Sequence, residues 1–214
     1  MSDIIRKTVK CAHCGTEHSY ETFRSYHVSN PGIDGKPYSP VLERTILQCP
    51  VCGYCGVKID APVSDAKRAL LESPEYHQIL ADEQEDAQAK CLRAAAWLSR
   101  ESGETAHAVN CWLLLAWHLE DAGNGEAARA ARKEAAVSLR LLIRTDTNAV
   151  PVITLLDCLR QLGEFEEASA LASRLAVMAE EGVKPEEMLY RVIFFEKDRI
   201  AARDAAPYRM SEVK

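Results

Sequence analysis

The sequence predicts a mainly α-helical protein with a small β-rich segment ahead of the helices. Three observations lead there. Paired C-x2-C-G motifs stand at residues 11–15 and 49–53. Short β-branched runs, broken by Gly and Pro, fill the chain up to about residue 62. From Ser64 onward apolar residues recur at helical spacing, with Gly where helices should stop. The expected organisation is therefore residues 1–62 and residues 63–214.

In the first part, KTVKC, ERTILQC and VKIDAPV read as short strands. SNPGIDGKPYSP, residues 29–40, reads as a loop from its Pro and Gly content. No long helical pattern fits before Ser64.

Ser64 is the expected N-cap of a first helix. Further helices fit 83–101, 104–122, 125–145, 149–162, 164–181 and 186–204. Pro151 falls near a helix start, where its missing N–H is harmless. Gly103, Gly123, Gly163 and Gly182 mark helix ends. CWLLLAWHL, residues 111–119, is apolar nearly all round and should be central, and AVPVITLL should also be buried. RVIFFEKDRI places Val192, Ile193, Phe195 and Ile200 near one face, which is expected to be core. The sharper alternative leaves Phe194 or Phe195 exposed to receive a partner peptide.

A weak repeat runs through the helical part. SGETAHA, AGNGEAA and LGEFEEA each place Ala five residues after Gly, at Gly103/Ala108, Gly123/Ala128 and Gly163/Ala168. The Gly would end one helix, and the small Ala would let the next approach closely. LGEFEEA resembles the turn of a tetratricopeptide repeat (TPR). The choice is a TPR-like array or an irregular helical bundle.

The cysteines carry the chemistry. Cys11, Cys14, Cys49 and Cys52 give C-x2-C-x34-C-x2-C. Two intervening residues bring both sulfurs to one side of a tight turn. The trailing Gly permits positive φ, so backbone N–H groups can point at thiolates. Two facing knuckles supply four sulfurs at tetrahedral corners, which suits one zinc ion per chain. Few large apolar side chains precede residue 61, and so small a segment needs a staple. His13 should be exposed within its knuckle, and either His13 or His18 could replace a cysteine. Cys55 is left over. It is expected to be a partly buried thiol beside the site, with an exchangeable ligand or redox sensor as the sharper role. Cys91, Cys111 and Cys158 fall on helices as small core residues.

CAHCG, CPVCGY and the helical region after them resemble a bacterial family of unknown function. That resemblance implies a zinc-ribbon-like N-terminal domain followed by TPR-like helices, and it carries no activity. CPVCGY also resembles the knuckle of rubredoxin, which implies one iron as the alternative metal. An iron–sulfur cluster at Cys49, Cys52 and Cys55 lacks a nearby fourth cysteine.

The net charge of −6 argues against a general nucleic-acid binder. Residues 1–60 hold seven basic and six acidic side chains, so the remainder carries −7. The start, MSDIIRKTVK, lacks an apolar signal core, and no run is long enough to span a membrane. A cytoplasmic protein is expected, where close cysteines bind metal more often than they form disulfides. HExxH, GxSxG, GxxxxGK and GxGxxG are all missing. His107 and His118 lie about three turns apart, too far for a joint metal. The expectation is a non-enzymatic adaptor that binds a protein or peptide partner on its helices. The alternatives are a thiol- or metal-redox protein and, more weakly, nucleic-acid binding through the ribbon.

Overall fold

A computed structural model describes residues 3–25, 27–38, 45–146, 148–182 and 187–214. Among them are two antiparallel hairpins and eight helices. The protein is mainly helical, and no described helix is long and apolar enough to cross a membrane.

The strands are β1 (Asp3–Lys10), β2 (Glu17–Ser25), β3 (Leu47–Gln48) and β4 (Cys55–Gly56). β1 pairs with β2 from Asp3↔Ser25 to Lys10↔Glu17, and β3 pairs with β4 through Leu47↔Gly56 and Gln48↔Cys55. Each C-x2-C-G motif thus occupies the turn of a hairpin. KTVKC lies largely in β1. Only Leu47 and Gln48 of ERTILQC form strand, and its first two residues lie outside the described part. VKIDAPV is not a strand. Ala61 N–H turns back to Lys58 O at 3.4 Å, and Pro62 follows without an N–H to pair.

The helices are α1 (Asp65–Leu71), α2 (Pro74–Ala81), α3 (Ala87–Glu101), α4 (Thr105–Asp121), α5 (Gly125–Leu142), α6 (Ala149–Gln161), α7 (Phe165–Gly182) and α8 (Met188–Ala201). Ser64 caps α1 by accepting Lys67 N–H at 3.2 Å. A second cap, Ser73, accepts Tyr76 N–H at 3.3 Å, and Pro74 opens α2. α3 starts later than expected because Asp86 is its cap, taking Ala89 N–H at 2.9 Å.

The chain divides into two compact units, Met1–Val28 with Ser39–Ala131 and Ser29–Tyr38 with Arg132–Lys214. All four described strands precede residue 62 and all eight described helices follow it. Compactness divides the chain elsewhere. In unit 1 the hairpins pack with α1–α4, and the division itself falls within α5. α4 is the most buried element there, with Cys111, Trp112, Leu113, Leu114, Leu115 and Trp117 all enclosed. Alanines at 94, 95 and 96 let α3 lie close against it.

Unit 2 holds the rest of α5, α6–α8 and residues 29–38. That stretch is loop-like, as expected, but it is docked. Ile33 N–H reaches Tyr208 O at 3.1 Å, Met210 N–H reaches Pro31 O at 2.9 Å, and Arg132 donates to Asp34 at 2.8 Å. Val192 and Ile193 are both buried but belong to different clusters. Val192 joins Ile33 and Val213, and Ile193 joins Ala176 and Ala179. Leu155 and Leu156 of AVPVITLL are buried, whereas Val150 is exposed.

Gly103, Gly123 and Gly163 adopt φ of 78°, 77° and 71°. Each turn closes with the same long bond: Glu104 N–H to Ser99 O, Asn124 N–H to Leu119 O and Glu164 N–H to Leu159 O, at 2.8–2.9 Å. Ala108, Ala128 and Ala168 are buried after them. A fourth such end closes α8, with Arg203 at φ 52° in place of Gly.

Candidate metal centre

The two hairpin turns are built alike. Cys11 N–H donates to Thr16 O at 2.9 Å and Gly15 N–H to Cys11 O at 2.8 Å. Cys49 N–H donates to Tyr54 O and Gly53 N–H to Cys49 O, both at 2.9 Å. Gly15 and Gly53 hold φ of 77° and 74°, as the trailing glycines require.

These turns bring Cys11, Cys14, Cys49 and Cys52 together, with all four Sγ atoms within 4.8 Å of one another. Cys11 Sγ lies 3.7 Å from Cys52 Sγ, and Cys14 Sγ lies 3.6 Å from Cys49 Sγ. A tetrahedron with metal–sulfur bonds of about 2.3 Å has edges of about 3.8 Å. The four sulfurs could therefore hold a metal ion. Cys11 and Cys49 are buried, Cys52 is half-buried, and Cys14 is exposed.

Backbone donors surround the sulfurs. The N–H groups of His13 and Cys14 face Cys11 Sγ, that of Thr16 faces Cys14 Sγ, and that of Tyr54 faces Cys52 Sγ, each favouring the thiolate. Cys14 Sγ also lies 3.3 Å from the Thr16 hydroxyl. That hydroxyl and the Thr16 N–H bring the Cys14 thiol down to about 6. Burial pushes the Cys11 and Cys52 thiols up.

The rest of unit 1 grips both turns. Tyr20 donates to Gln48 O at 3.0 Å, joining the two hairpins. Burial, then the cysteine sulfurs, push its hydroxyl up to about 12, so it remains a donor. Ala12 N–H reaches Ile59 O at 2.8 Å, and Arg68 of α1 reaches His13 O at 3.3 Å. Tyr76 of α2 donates to Gly53 O at 3.0 Å.

The other sequence candidates fall outside the cluster. His13 is half-buried rather than exposed, with Arg68 against its carbonyl oxygen, and neither it nor His18 joins the four sulfurs. Cys55 is buried, with its thiol directed at Gly53 O at 3.2 Å. Cys91, Cys111 and Cys158 are buried on helices, and burial holds Cys111 and Cys158 at about 12. His107 lies 3.7 Å from Glu104 and His118 lies 2.9 Å from Asp86, so the two serve different partners.

Tyr20 and Tyr76 are missing from the sequence reading. Both bind backbone carbonyls distant in the chain, and no local spacing announces such a bond. Thr16 was findable, as a hydroxyl two residues after a knuckle cysteine.

No protein-family model, curated protein or solved structure matches the chain. The four-cysteine cluster and helical body agree with the resemblance drawn from the motifs, and no family is shown.

Proposed function

We propose that this protein is a non-enzymatic cytoplasmic adaptor, in which a structural zinc ion fixes the N-terminal ribbon and the helices offer a surface to a protein or peptide. The observation that carries its metal part is the close approach of Cys11, Cys14, Cys49 and Cys52, whose sulfurs all lie within 4.8 Å of one another. Zinc suits four thiolates, and such a site is closed, leaving no position for water or substrate. Binding energy at such a site is folding energy.

The three matching Gly-to-Ala turns support a TPR-like reading of the helices. The partner surface is assigned to a groove of about 680 Å³ in unit 2, lined by Tyr190, Arg191, Phe194, Phe195, Arg199 and Tyr208. Tyr190 stacks on Phe194 at 4.3 Å, and Arg199 lies over Phe195 at 5.2 Å. Asp198 and Glu212 also line the groove, so its charges are mixed and its aromatic faces suit the apolar side chains of a peptide.

The test is capture of partners from cell extract by wild type and by Arg191→Glu, with helix content checked by circular dichroism. A partner held by wild type and lost by the folded variant is expected. No capture by wild type contradicts the adaptor role, and equal capture by both contradicts the assignment of the partner to this groove.

A further inference from the structure

Tyr76 has no exposed surface. Ser73 caps α2 and Pro74 opens it, which places Tyr76 in the first helical turn. Its hydroxyl accepts Cys55 N–H at 2.9 Å and donates to Gly53 O at 3.0 Å. Gly53 C=O and Tyr54 N–H are the two ends of one planar peptide group and point in opposite directions. That same Tyr54 N–H faces Cys52 Sγ. The groups form one chain, in which Cys55 N–H donates to Tyr76, Tyr76 donates to the Gly53 carbonyl, and the far end of that peptide faces the Cys52 sulfur.

A donor on the carbonyl polarises the N–H at the other end, so bonds in such a chain strengthen one another. An N–H facing a thiolate is charge-assisted and gains most. Leu80 of α2 also lies close over Gly53, where an added Cβ would come within 2.8 Å of its Cδ1.

We propose that Tyr76 is a positioning residue of the metal centre, holding the Gly53–Tyr54 peptide so that its N–H meets the Cys52 thiolate. This rests on the metal-binding function proposed above. It makes retention of the ion depend on a helix outside the ribbon.

The test is Tyr76→Phe, which keeps the ring packed near Trp97 (6.2 Å between centroids) and removes the hydroxyl. Zinc retention is measured by chelator competition, and the thiolate-to-metal charge-transfer band is measured on cobalt-substituted protein. We expect roughly 10–100-fold weaker retention, typical of lost outer-shell partners, and a shifted cobalt band. Leu92→Ala, a cavity in the α3 core, is the control for simple destabilisation. Unchanged retention and spectrum in Tyr76→Phe would overturn the proposal. So would a loss matched by Leu92→Ala with the band unmoved in both. A wild type that takes up neither zinc nor cobalt would instead remove the metal function itself.

Discussion

Arg160 donates to Glu196 at 2.7 Å, and neither side chain reaches solvent. Arg160 also bonds to Asp157 and donates to the Asp204 and Ala206 carbonyls at 3.0 and 2.6 Å. Arg132 and Asp34 form a second buried pair in the same unit at 2.8 Å. Three carboxyls and two guanidiniums are thus enclosed where α5, α6 and α8 meet residues 29–38.

Removing one partner of a buried pair strands the others. Arg160→Ala should cost about 3–5 kcal/mol by urea unfolding, because Asp157, Glu196 and two buried carbonyls lose their shared donor. Arg160→Lys should not restore it, since an ammonium cannot match the planar fork that reaches two carboxyl groups and two carbonyls. A loss below about 1 kcal/mol in Arg160→Ala would show that the network is not holding unit 2 together.

Burial, then Asp157, raises the Glu196 carboxyl to about 8 against the pull of Arg160. Its ordinary value is 4.5. Between these values folding takes up a proton at Glu196. Its contribution is therefore complete below 4.5 and is lost as pH rises through 8. Glu196→Gln should flatten stability against pH across that window. A variant with the same slope as wild type would exclude Glu196 as its source.

Gly53 and Gly103 both hold positive φ, but only Gly53 faces an obstacle, Leu80. Gly103→Ala should cost about 1–2 kcal/mol, the left-handed penalty alone. Gly53→Ala should cost more and should also weaken metal retention. Equal costs, with retention intact, would show that Leu80 moves aside.

Cys55 lies outside the sulfur cluster, so Cys55→Ala should keep the full metal content, whereas Cys14→Ser should lose it. Peroxide should leave the buried Cys55 thiol unmodified. Metal loss from Cys55→Ala, or oxidation at Cys55 ahead of Cys14, would favour the thiol-redox alternative.

What the sequence made legible was local. The knuckles are read from short spacings and a trailing Gly, and Ser64 and three turn glycines mark helix ends by known backbone demands. The rest depended on distant partners. β2 alternates polar and half-buried residues and so shows no clear apolar face. The break between α1 and α2 rests on Ser73 and Pro74 inside a stretch of helical period. Arg203 hid the fourth turn by standing where Gly is expected. Residues 29–40 read as a loop from Pro and Gly alone, which does not show the docking of 29–38, because Asp34 finds Arg132 far along the chain.

The most direct measurement is metal content of protein prepared without added metal, with alkylation of Cys14 followed before and after chelation. Cys14 is the exposed member of the four, so its reactivity reports the ion rather than burial. One zinc per chain, with Cys14 unreactive until the chelator is added, is the expected result. No metal, with Cys14 alkylated at once in the native protein, would contradict the metal centre. One iron in place of zinc would replace the structural role with electron transfer.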